Sequence, residues 1–438
     1  MMVPPLPMSL VVVSGGRAMS RTLVTAALVG LSIGILLVSN SASAGDKPAG
    51  KTSGEPTPPS ITSVPPKETA ISGGTDQIEG CRRGVELTVS GVNAASEQEQ
   101  ERLYSEAISG CSAIPEAHYN RAVLYRRQGK REIALTDLAR ALELRDDDRF
   151  RVARGLVYDD LGQYDAARSD YRAVLGRNPR DAAALIGLAK ILEKQGDRAQ
   201  AIETLERGRD ADPNSALIRL NLGIIYELAG RMYDAGGEYA RATELDALNG
   251  EAWYRSGLIQ MHRGETKRAI PLFEQAIAAG GLIEAPSRAT LARLYRQTRL
   301  FDKAELILRR GLERSPDDRD LQRELILVLA DDEQFEKVIE LAGAMLLREP
   351  RQASILLVKG SAERHLGRLK AAEDSLRASA ELENENPLVH YELALLLRTL
   401  GKADEAARHA ELSKTLQAQE FHAGSSASDD DTRVIKAE

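Results

Sequence analysis

The stretch of sequence that decides the fold runs from residue 216 to residue 249 and reads ALIRLNLGIIYELAGRMYDAGGEYARATELDALN. In its first half, Ile218, Leu222 and Ile225 recur at the three- and four-residue spacing of one helix face. Gly230 then supplies the residue type that most often follows a helix, because glycine adopts a left-handed backbone without strain. A second helical pattern follows, so the stretch predicts two antiparallel helices joined by a tight turn.

The same pattern recurs along the chain at intervals of 33 to 35 residues. One column holds alanine at all but one repeat: Ala134, Ala167, Ala201, Ala235, Ala269, Ala304, Val338, Ala372 and Ala406. A glycine column precedes it by five residues: Gly129, Gly162, Gly196, Gly230, Gly264, Gly367 and Gly401, with Arg299 and Glu333 interrupting. A third, mostly small column comprises Ala122, Gly155, Ala189, Gly223, Gly257, Ala292, Ile326, Gly360 and Ala394. Three columns in register predict a tandem array of stacked two-helix units.

These columns resemble the tetratricopeptide repeat (TPR), whose pattern is W-x2-L-G-x2-Y, then A-x3-F, then P. Gly223 with Tyr226 fits the first half of the pattern, and Ala269 with Phe273 fits the second half. The resemblance covers roughly residues 115–416. It implies an all-α fold, a right-handed α-solenoid (superhelix) of about nine helix–turn–helix repeats after a degenerate N-terminal repeat.

Composition and register divide the chain into five segments. We predict a signal peptide at 1–44, a flexible Pro/Gly/Ser/Thr-rich linker at 45–77, a degenerate capping repeat at 78–114, the TPR array at 115–418 and a flexible tail at 419–438. The repeats are expected to start near residues 115, 148, 182, 216, 250, 285, 319, 353 and 387. Prolines at Pro179, Pro213, Pro316 and Pro350 are interpreted as closing each second helix and opening the next.

The N-terminal segment has the features of an export signal. Its apolar run, Leu23–Val38, is shorter than the ~20 residues that a membrane helix needs. The small residues 42–44 suit a signal peptidase, so we expect cleavage before Gly45 and export, most simply to a periplasm. The alternatives are a retained inner-membrane anchor and a start at Met19 instead of Met1.

The cysteines belong to the degenerate opening repeat. By the repeat register, Cys81 begins this unit and Cys111 ends it, and antiparallel helices bring those ends together. An exported protein encounters an oxidising compartment in which an even number of cysteines favours disulfides. We therefore predict a Cys81–Cys111 disulfide.

Charge and motifs argue against several function classes. The net charge is −7 with both signs interspersed, unlike the basic stripe of a nucleic-acid binder. No H-x3-H, paired-cysteine, phosphate-loop or G-x-S-x-G pattern occurs. The histidines are interpreted as lying in different repeats: His118, His262, His365, His390, His409 and His422. The sequence thus predicts no metal site, no cofactor, no small-molecule substrate and no enzymatic activity.

The predicted function is protein or peptide binding along a groove. In a helical-hairpin solenoid the first helices line the concave face. The resemblance places these candidates on that face: Tyr119, Asn120, Arg126, Lys190, Asn221, Tyr254, Met261, Arg293, Arg296 and Arg364. We interpret the chain as an exported scaffold or adaptor. The alternatives are an accessory subunit of an envelope polysaccharide or glycan machine, and a membrane-anchored assembly factor.

One repeat departs from the pattern. Residues 319–352 carry Ile326, Glu333 and Val338 at the three column positions where small residues are expected. Bulkier side chains at these contacts are expected to push the two helices of that repeat apart.

Overall fold

The computed structural model describes residues 75–434, with side chains from 77 to 419. Within this part of the chain the secondary structure consists of 20 α-helices and one short 3₁₀ helix, without a strand. The fold class predicted from the sequence, an all-α array of helical repeats, is confirmed.

The helices fall into two compact units that divide after Pro213. The first unit contains α1 (Thr75–Val92), α2 (Glu97–Gly110), α3 (Pro115–Arg127), α4 (Arg131–Leu144), α5 (Asp148–Asp160), α6 (Tyr164–Arg177), α7 (Ala182–Lys194) and α8 (Arg198–Ala211). The second contains α9 (Ala216–Leu228), α10 (Met232–Leu245), α11 (Gly250–His262), α12 (Thr266–Ala279), the 3₁₀ helix (Gly281–Ile283), α13 (Glu284–Gln297), α14 (Phe301–Arg314), α15 (Arg319–Asp331), α16 (Phe335–Arg348), α17 (Ala353–His365), α18 (Leu369–Leu382), α19 (Pro387–Thr399) and α20 (Ala403–Val434).

Consecutive helices pair into hairpins, and the hairpins stack within each unit. Every odd-numbered helix packs against the even-numbered helix that follows it, and that second helix packs against the next first helix of its unit. Each repeat therefore buries its apolar side chains partly within its own hairpin and partly against its neighbour, as expected for a solenoid.

Polar side chains start most of the first helices. Ser215 accepts a hydrogen bond from the backbone N–H of Ile218, and Asn249 accepts one from Ala252. These caps satisfy first-turn N–H groups that have no partner within the helix. The interpretation of the prolines needs a correction, because Pro179 lies in the connection after α6 and not in the first turn of α7. A proline at that position stops a helix because it cannot continue the hydrogen-bond pattern.

Each hairpin turn from α3–α4 onward places one residue in the left-handed conformation. At the end of α9, Gly230 has φ +74°, its N–H bonds to the carbonyl of Glu227, and the N–H of Arg231 bonds to the carbonyl of Tyr226. This double hydrogen bond is a Schellman motif. Arg299 and Glu333 adopt φ +59° at the equivalent positions, although neither is glycine. The turn geometry is therefore retained where the glycine column is interrupted.

The small columns make room for large side chains of the paired helix. A Cβ atom added to Gly223 would come within 2.5 Å of the ring of Tyr239, which is fully buried. Gly257 has the same relation to Phe273, at 2.8 Å. Glycine in the first helix thus provides the space into which an aromatic ring of the second helix fits.

The divergent repeat, α15–α16, is packed differently. Its two helices pack against each other less extensively than those of any other hairpin in the described residues. Ile326 and Val338 are both fully buried between them. The expectation that bulkier column residues separate these helices is confirmed.

The disulfide predicted for the opening repeat is present. Cys81 on α1 is bonded to Cys111, which follows α2, and their Cα atoms are 4.7 Å apart. Both side chains are buried together with Ala107 and Ile114. The bond ties the two helices of the first described hairpin together.

The last helix is longer than the sequence analysis expects. α20 continues to Val434, through most of the segment predicted as a flexible tail. This segment contains no proline, and Gln417, Ala418 and Gln419 favour helix, so little in the sequence ends the helix. None of the described helices is both long enough and apolar enough to cross a bilayer. The predicted signal peptide, 1–44, and almost all of the predicted linker lie outside the described residues.

Candidate interaction surface

Ion pairs join successive first helices in the first unit. Arg126 on α3 pairs with Asp160 on α5, with 2.6 Å between Nε and Oδ2. Lys194 on α7 pairs with Asp159 on α5, also at 2.6 Å. Since α5 receives a cation from each side, these pairs set the spacing of three neighbouring first helices.

The second unit repeats this arrangement. Arg293 on α13 pairs with Glu324 on α15 at 2.8 Å, and Arg296 pairs with Asp331 at the same distance. Arg364 on α17 pairs with Glu392 on α19 at 2.9 Å. We call these inter-repeat pairs, in both units, the first-helix ladder.

The first-helix ladder changes the interpretation of the predicted arginines. The resemblance to TPR proteins suggests Arg126, Arg296 and Arg364 as cationic anchors for a partner, but each already lies against a carboxylate of the next repeat. These side chains therefore fix the register of neighbouring hairpins. Arg293 differs, because 47% of its side chain stays exposed.

Three other candidates are interior residues, and their prediction as groove residues is corrected. Tyr119 is fully buried and its ring lies 4.9 Å from that of Phe150 on α5. Asn120 is fully buried, and Asn221 is buried with its Nδ2 donating to the carbonyl of Leu217. Helical periodicity identifies a face of the helix, but it does not show whether the next repeat covers that face.

The remaining candidates are partly accessible. Lys190 on α7 is half-buried. On α11, Tyr254 and Met261 are half-buried. Leu258, which lies between them in the sequence, is also half-buried. Tyr254, Leu258 and Met261 lie at helical spacing on one side of α11, and we call them the α11 stripe. Tyr254 is held edge-on to Phe273, with ring centroids 5.6 Å apart.

A largely buried charged network connects α11 to the two preceding helices, α9 and α10. Arg255 pairs with Glu251 of its own helix and reaches Glu227 on α9 at 3.0 Å. The hydroxyl of Tyr239 donates to the same Glu227 carboxylate at 2.5 Å. Burial raises the pKa of the Tyr239 hydroxyl well above its ordinary value, so this group remains a hydrogen-bond donor. The network ties three helices together and holds the backbone of α11 in place.

Two features next to the α11 stripe were not anticipated. The 3₁₀ helix, Gly281–Ile283, contacts both α11 and α13. Its Leu282 is largely exposed, as is Leu248 in the connection between α10 and α11. The 35-residue spacing between Ala269 and Ala304 was the sequence signal for this extra turn.

The aspartate run at 146–148 forms a capped turn with basic neighbours. Asp147 accepts a hydrogen bond from the N–H of Arg149 and so caps α5. Asp146 accepts from Arg151 and Arg177, and these hydrogen bonds lower the pKa of its carboxyl far below the usual range. Its charge is thus neutralised by side chains of the chain itself.

The interpretation that all histidines lie in different repeats is wrong for one pair. His390 on α19 and His409 on α20 face each other across the last hairpin, with 3.1 Å between their Nδ1 atoms. The repeat register places both in the unit that starts at residue 387, so the sequence contained this signal. Within the described residues no three His, Cys, Asp or Glu side chains are grouped as metal ligands.

Sequence models of the tetratricopeptide repeat family match residues 115–148, 160–220, 234–282 and 260–326. The chain contains tetratricopeptide repeats. The matched TPR segments include α11 and Tyr239, whose ring packs on Gly223. They also include Arg299, which interrupts the glycine column.

Individual relatives share this repeat and differ in role. BBSome complex member BBS4 of Bos taurus is 23% identical over 262 residues, which are 59% of this chain and 50% of that protein. Cellulose synthase operon protein C of Pseudomonas fluorescens is 25% identical over 286 residues, 59% of this chain and 21% of that protein. A solved tetratricopeptide repeat protein from Parabacteroides merdae is 16% identical with a TM-score of 0.43, and the match covers 58% of this chain and 100% of that one. The chain spans half or less of the length of the two curated relatives.

Proposed function

We propose that this TPR protein is an exported scaffold or adaptor that binds a partner peptide or protein along the concave face of its array. The observation that carries the proposal is the α11 stripe. Tyr254, Leu258 and Met261 present apolar atoms at the surface of a helix whose backbone is fixed from beneath. Aromatic side chains, methionine and arginine are enriched where proteins bind one another.

The chemistry around the stripe suits an amphipathic partner segment. Arg293 on α13, half-exposed beside Glu324, offers guanidinium N–H groups to a carboxylate or carbonyl. The exposed Leu248 lies in the connection before α11, and the exposed Leu282 lies in the 3₁₀ helix that contacts α11, so both add apolar surface. Recognition of this kind requires no covalent step.

Export is supported by two independent observations on the chain. The apolar run Leu23–Val38 with the small residues at 42–44 matches the pattern of a cleaved signal. The disulfide between Cys81 and Cys111 belongs to an oxidising compartment. Mass measurement of the mature protein tests both export and cleavage: a chain that begins at Gly45 agrees with the proposal, and an intact N-terminus favours the membrane-anchored alternative.

The binding proposal is tested by affinity capture with matched surface variants. Tyr254→Ser with Met261→Ser removes the apolar atoms of the stripe, and we expect it to abolish capture of partners that the native array retains. Tyr233→Ser removes an aromatic ring that is 81% exposed on α10, a second helix, and should leave capture unchanged. Equal capture by all three proteins would contradict a binding role for α11.

Charge reversal at Arg293 is a poorer test of binding. Arg293→Glu would place a second carboxylate against Glu324, whose own side chain is mostly buried. Loss of binding could then follow from movement of α15, because like charges at this distance repel. Arg293→Gln removes the charge while keeping a hydrogen-bond donor, so it separates the two effects.

An accessory role in polysaccharide synthesis or export is the second candidate function. The similarity to cellulose synthase operon protein C, over 59% of this chain, favours it. Deletion of the gene should then lower the amount of extracellular polysaccharide, and complementation with the native chain should restore it. Unchanged polysaccharide in the deletion strain would leave the general scaffold as the better description.

A further inference from the structure

The last hairpin contains a pair of histidines in direct contact. His390 lies on α19 and is only 4% exposed, and half-buried His409 faces it from α20. Their Nδ1 atoms are 3.1 Å apart, and the rings stack with centroids at 5.2 Å. The other ring nitrogen of His390, Nε2, lies 2.6 Å from the carbonyl oxygen of Asn384.

These contacts fix how many protons the pair can hold. The Asn384 carbonyl only accepts, so His390 Nε2 carries a proton and donates it. In the neutral pair, His390 Nδ1 is then the acceptor and His409 Nδ1–H is the donor. One added proton still leaves one donor and one acceptor between the rings. A second added proton places two N–H groups and two positive charges against each other.

The charged groups around the pair do not remove this conflict. On α20, Glu405 attracts a proton to His409, whereas Arg408 repels one. On α18, Arg377 also repels a proton, and it pairs with Glu405 at 3.0 Å. The α17 cation Arg364 is paired with Glu392 of α19. Arg377 and Arg408 therefore offset the attraction of Glu405 for a proton on His409.

The pair joins α19 to the last described helix. Among the described helices, α20 packs extensively against α19 alone. Its buried contacts come from the small residues Ala406 and Ser413, the latter donating to the carbonyl of Pro387. Beneath α20, Leu393 and Leu397 of α19 are almost fully buried. Displacement of α20 would expose these leucines.

We propose that the His390–His409 pair is an acid-sensitive latch that holds α20 on α19 at neutral pH and releases it when both imidazoles are protonated. The released state exposes an apolar face of α19 containing Leu393 and Leu397. This inference does not depend on the proposed binding at the α11 stripe, which lies on a different hairpin.

The sign of the pH dependence follows from His409. Burial, and then the charge of His390, lower the pKa of His409 below its ordinary value. A histidine with a lowered pKa in the folded protein stabilises the fold above its unfolded pKa of ~6.5. That contribution is lost as the pH falls through the folded value. Acid should therefore loosen the last hairpin.

Amide hydrogen exchange of the full-length protein tests the latch. Protection of the α20 amides at 404–413, corrected for intrinsic exchange, is compared at pH 7.5 and pH 5. We expect at least about a fivefold loss of protection on acidification, since two like charges in contact repel even when screened by water. Unchanged protection in the native protein would overturn the proposal.

Two variants at one position provide the specificity control. His409→Asp recreates the pair found at the equivalent positions of α3 and α4, where His118 Nδ1 lies 3.0 Å from Asp137. His409→Gln supplies an uncharged donor to His390. Both variants should abolish the acid-induced loss, whereas His262→Gln, on an exposed site of α11, should retain it. Acid-induced opening that persists in a folded His409→Asp or His409→Gln protein would overturn the proposal.

Discussion

At the scale of single residues, the hairpin turns show what a left-handed backbone requires. Seven of the nine turns in the repeats after the disulfide cap place glycine at the left-handed position, and Arg299 and Glu333 hold the same conformation at the other two. The Schellman hydrogen bonds form in both cases, with Leu300 N–H bonded to the carbonyl of Tyr295 in the first. A side chain with a Cβ pays a steric cost in that region that glycine avoids.

Arg299→Gly and Glu333→Gly should therefore stabilise the protein. We expect about 0.5 to 1 kcal/mol for each, because the steric cost removed exceeds the entropy that glycine adds to the unfolded chain. Urea unfolding followed by circular dichroism measures the change. The matched control, Gly264→Ala, introduces a Cβ at φ +73° and should destabilise by a similar amount. Destabilisation by both glycine substitutions would contradict this account of the turns.

The small column makes a second prediction at this scale. In Gly223→Ala the new methyl group would lie 2.5 Å from the ring of Tyr239. Because Tyr239 is fully buried, its ring has little room to move away. Overpacking of this kind costs about 1 to 3 kcal/mol. Gly237→Ala on the partner helix meets nothing within 4 Å and should stabilise by up to ~1 kcal/mol through helix propensity. Thermal unfolding of the two variants should thus shift in opposite directions, and a shared direction would argue against the close packing at Gly223.

Sequence reasoning reached these residues but missed others for a physical reason. The spacing of Gly223 and Gly230 reports contacts within one hairpin, which local periodicity encodes. Whether Tyr119 faces a partner or Phe150 depends on how the next hairpin stacks on the first. Periodicity therefore predicts the fold well and the accessible surface poorly.

At the scale of helices, a buried charge network holds the α3–α4 hairpin. Asp137 accepts two hydrogen bonds from Arg121, at 2.7 and 2.8 Å, and lies 3.0 Å from His118. Burial alone would raise the pKa of Asp137, but the hydrogen bonds from Arg121 and His118 outweigh it and leave the pKa below its usual value. Such a network is strong only while each member keeps its partner.

Asp137→Asn should destabilise this hairpin by about 3 kcal/mol, because it leaves the guanidinium of Arg121 without its counter-ion in a mostly buried position. Asp165→Asn, at a side chain that is 85% exposed, should cost less than ~1 kcal/mol. The lowered pKa also sets a pH dependence. The stabilisation is present above the unfolded aspartate pKa of ~3.9 and is lost as the pH falls below it. Equal unfolding free energies for the two variants at pH 7 would refute the network's role.

The connections between helices were the least predictable elements. The 3₁₀ helix Gly281–Ile283 follows from one extra residue in one repeat, and the spacing of the columns registers only its length. α20 continues to Val434 because no proline ends the helix. The many Ser and Asp residues of this segment led the sequence analysis to predict a flexible tail instead. The repeated column residues predict where two helices pair. Beyond the last repeat no such residue recurs, so the sequence pattern does not predict where the final helix ends.

At the scale of the whole molecule, the stability of each unit is expected to be a sum of hairpin terms and nearest-neighbour interfaces. The divergent hairpin redistributes these terms. α15 and α16 pack weakly on each other, but α15 packs against the preceding first helix α13 more extensively than any other two first helices pack in the described residues. Ile326 belongs to the same buried cluster as Leu291 and Leu294 of α13. The Ile326 side chain therefore contributes to packing between repeats as well as within its own repeat.

Restoring the small residue at this column should weaken the second unit. Ile326→Ala leaves a cavity at a fully buried site and should cost about 2 to 4 kcal/mol, although the column holds alanine or glycine in the other repeats. Because the interface with α13 carries part of this energy, amide protection should fall in α13 as well as in α15. Hydrogen exchange under mildly denaturing conditions measures both helices, with α19 as the distant reference. Stabilisation by Ile326→Ala, or a loss confined to α15, would show that the repeat has merely drifted from the pattern and that its neighbours do not depend on it.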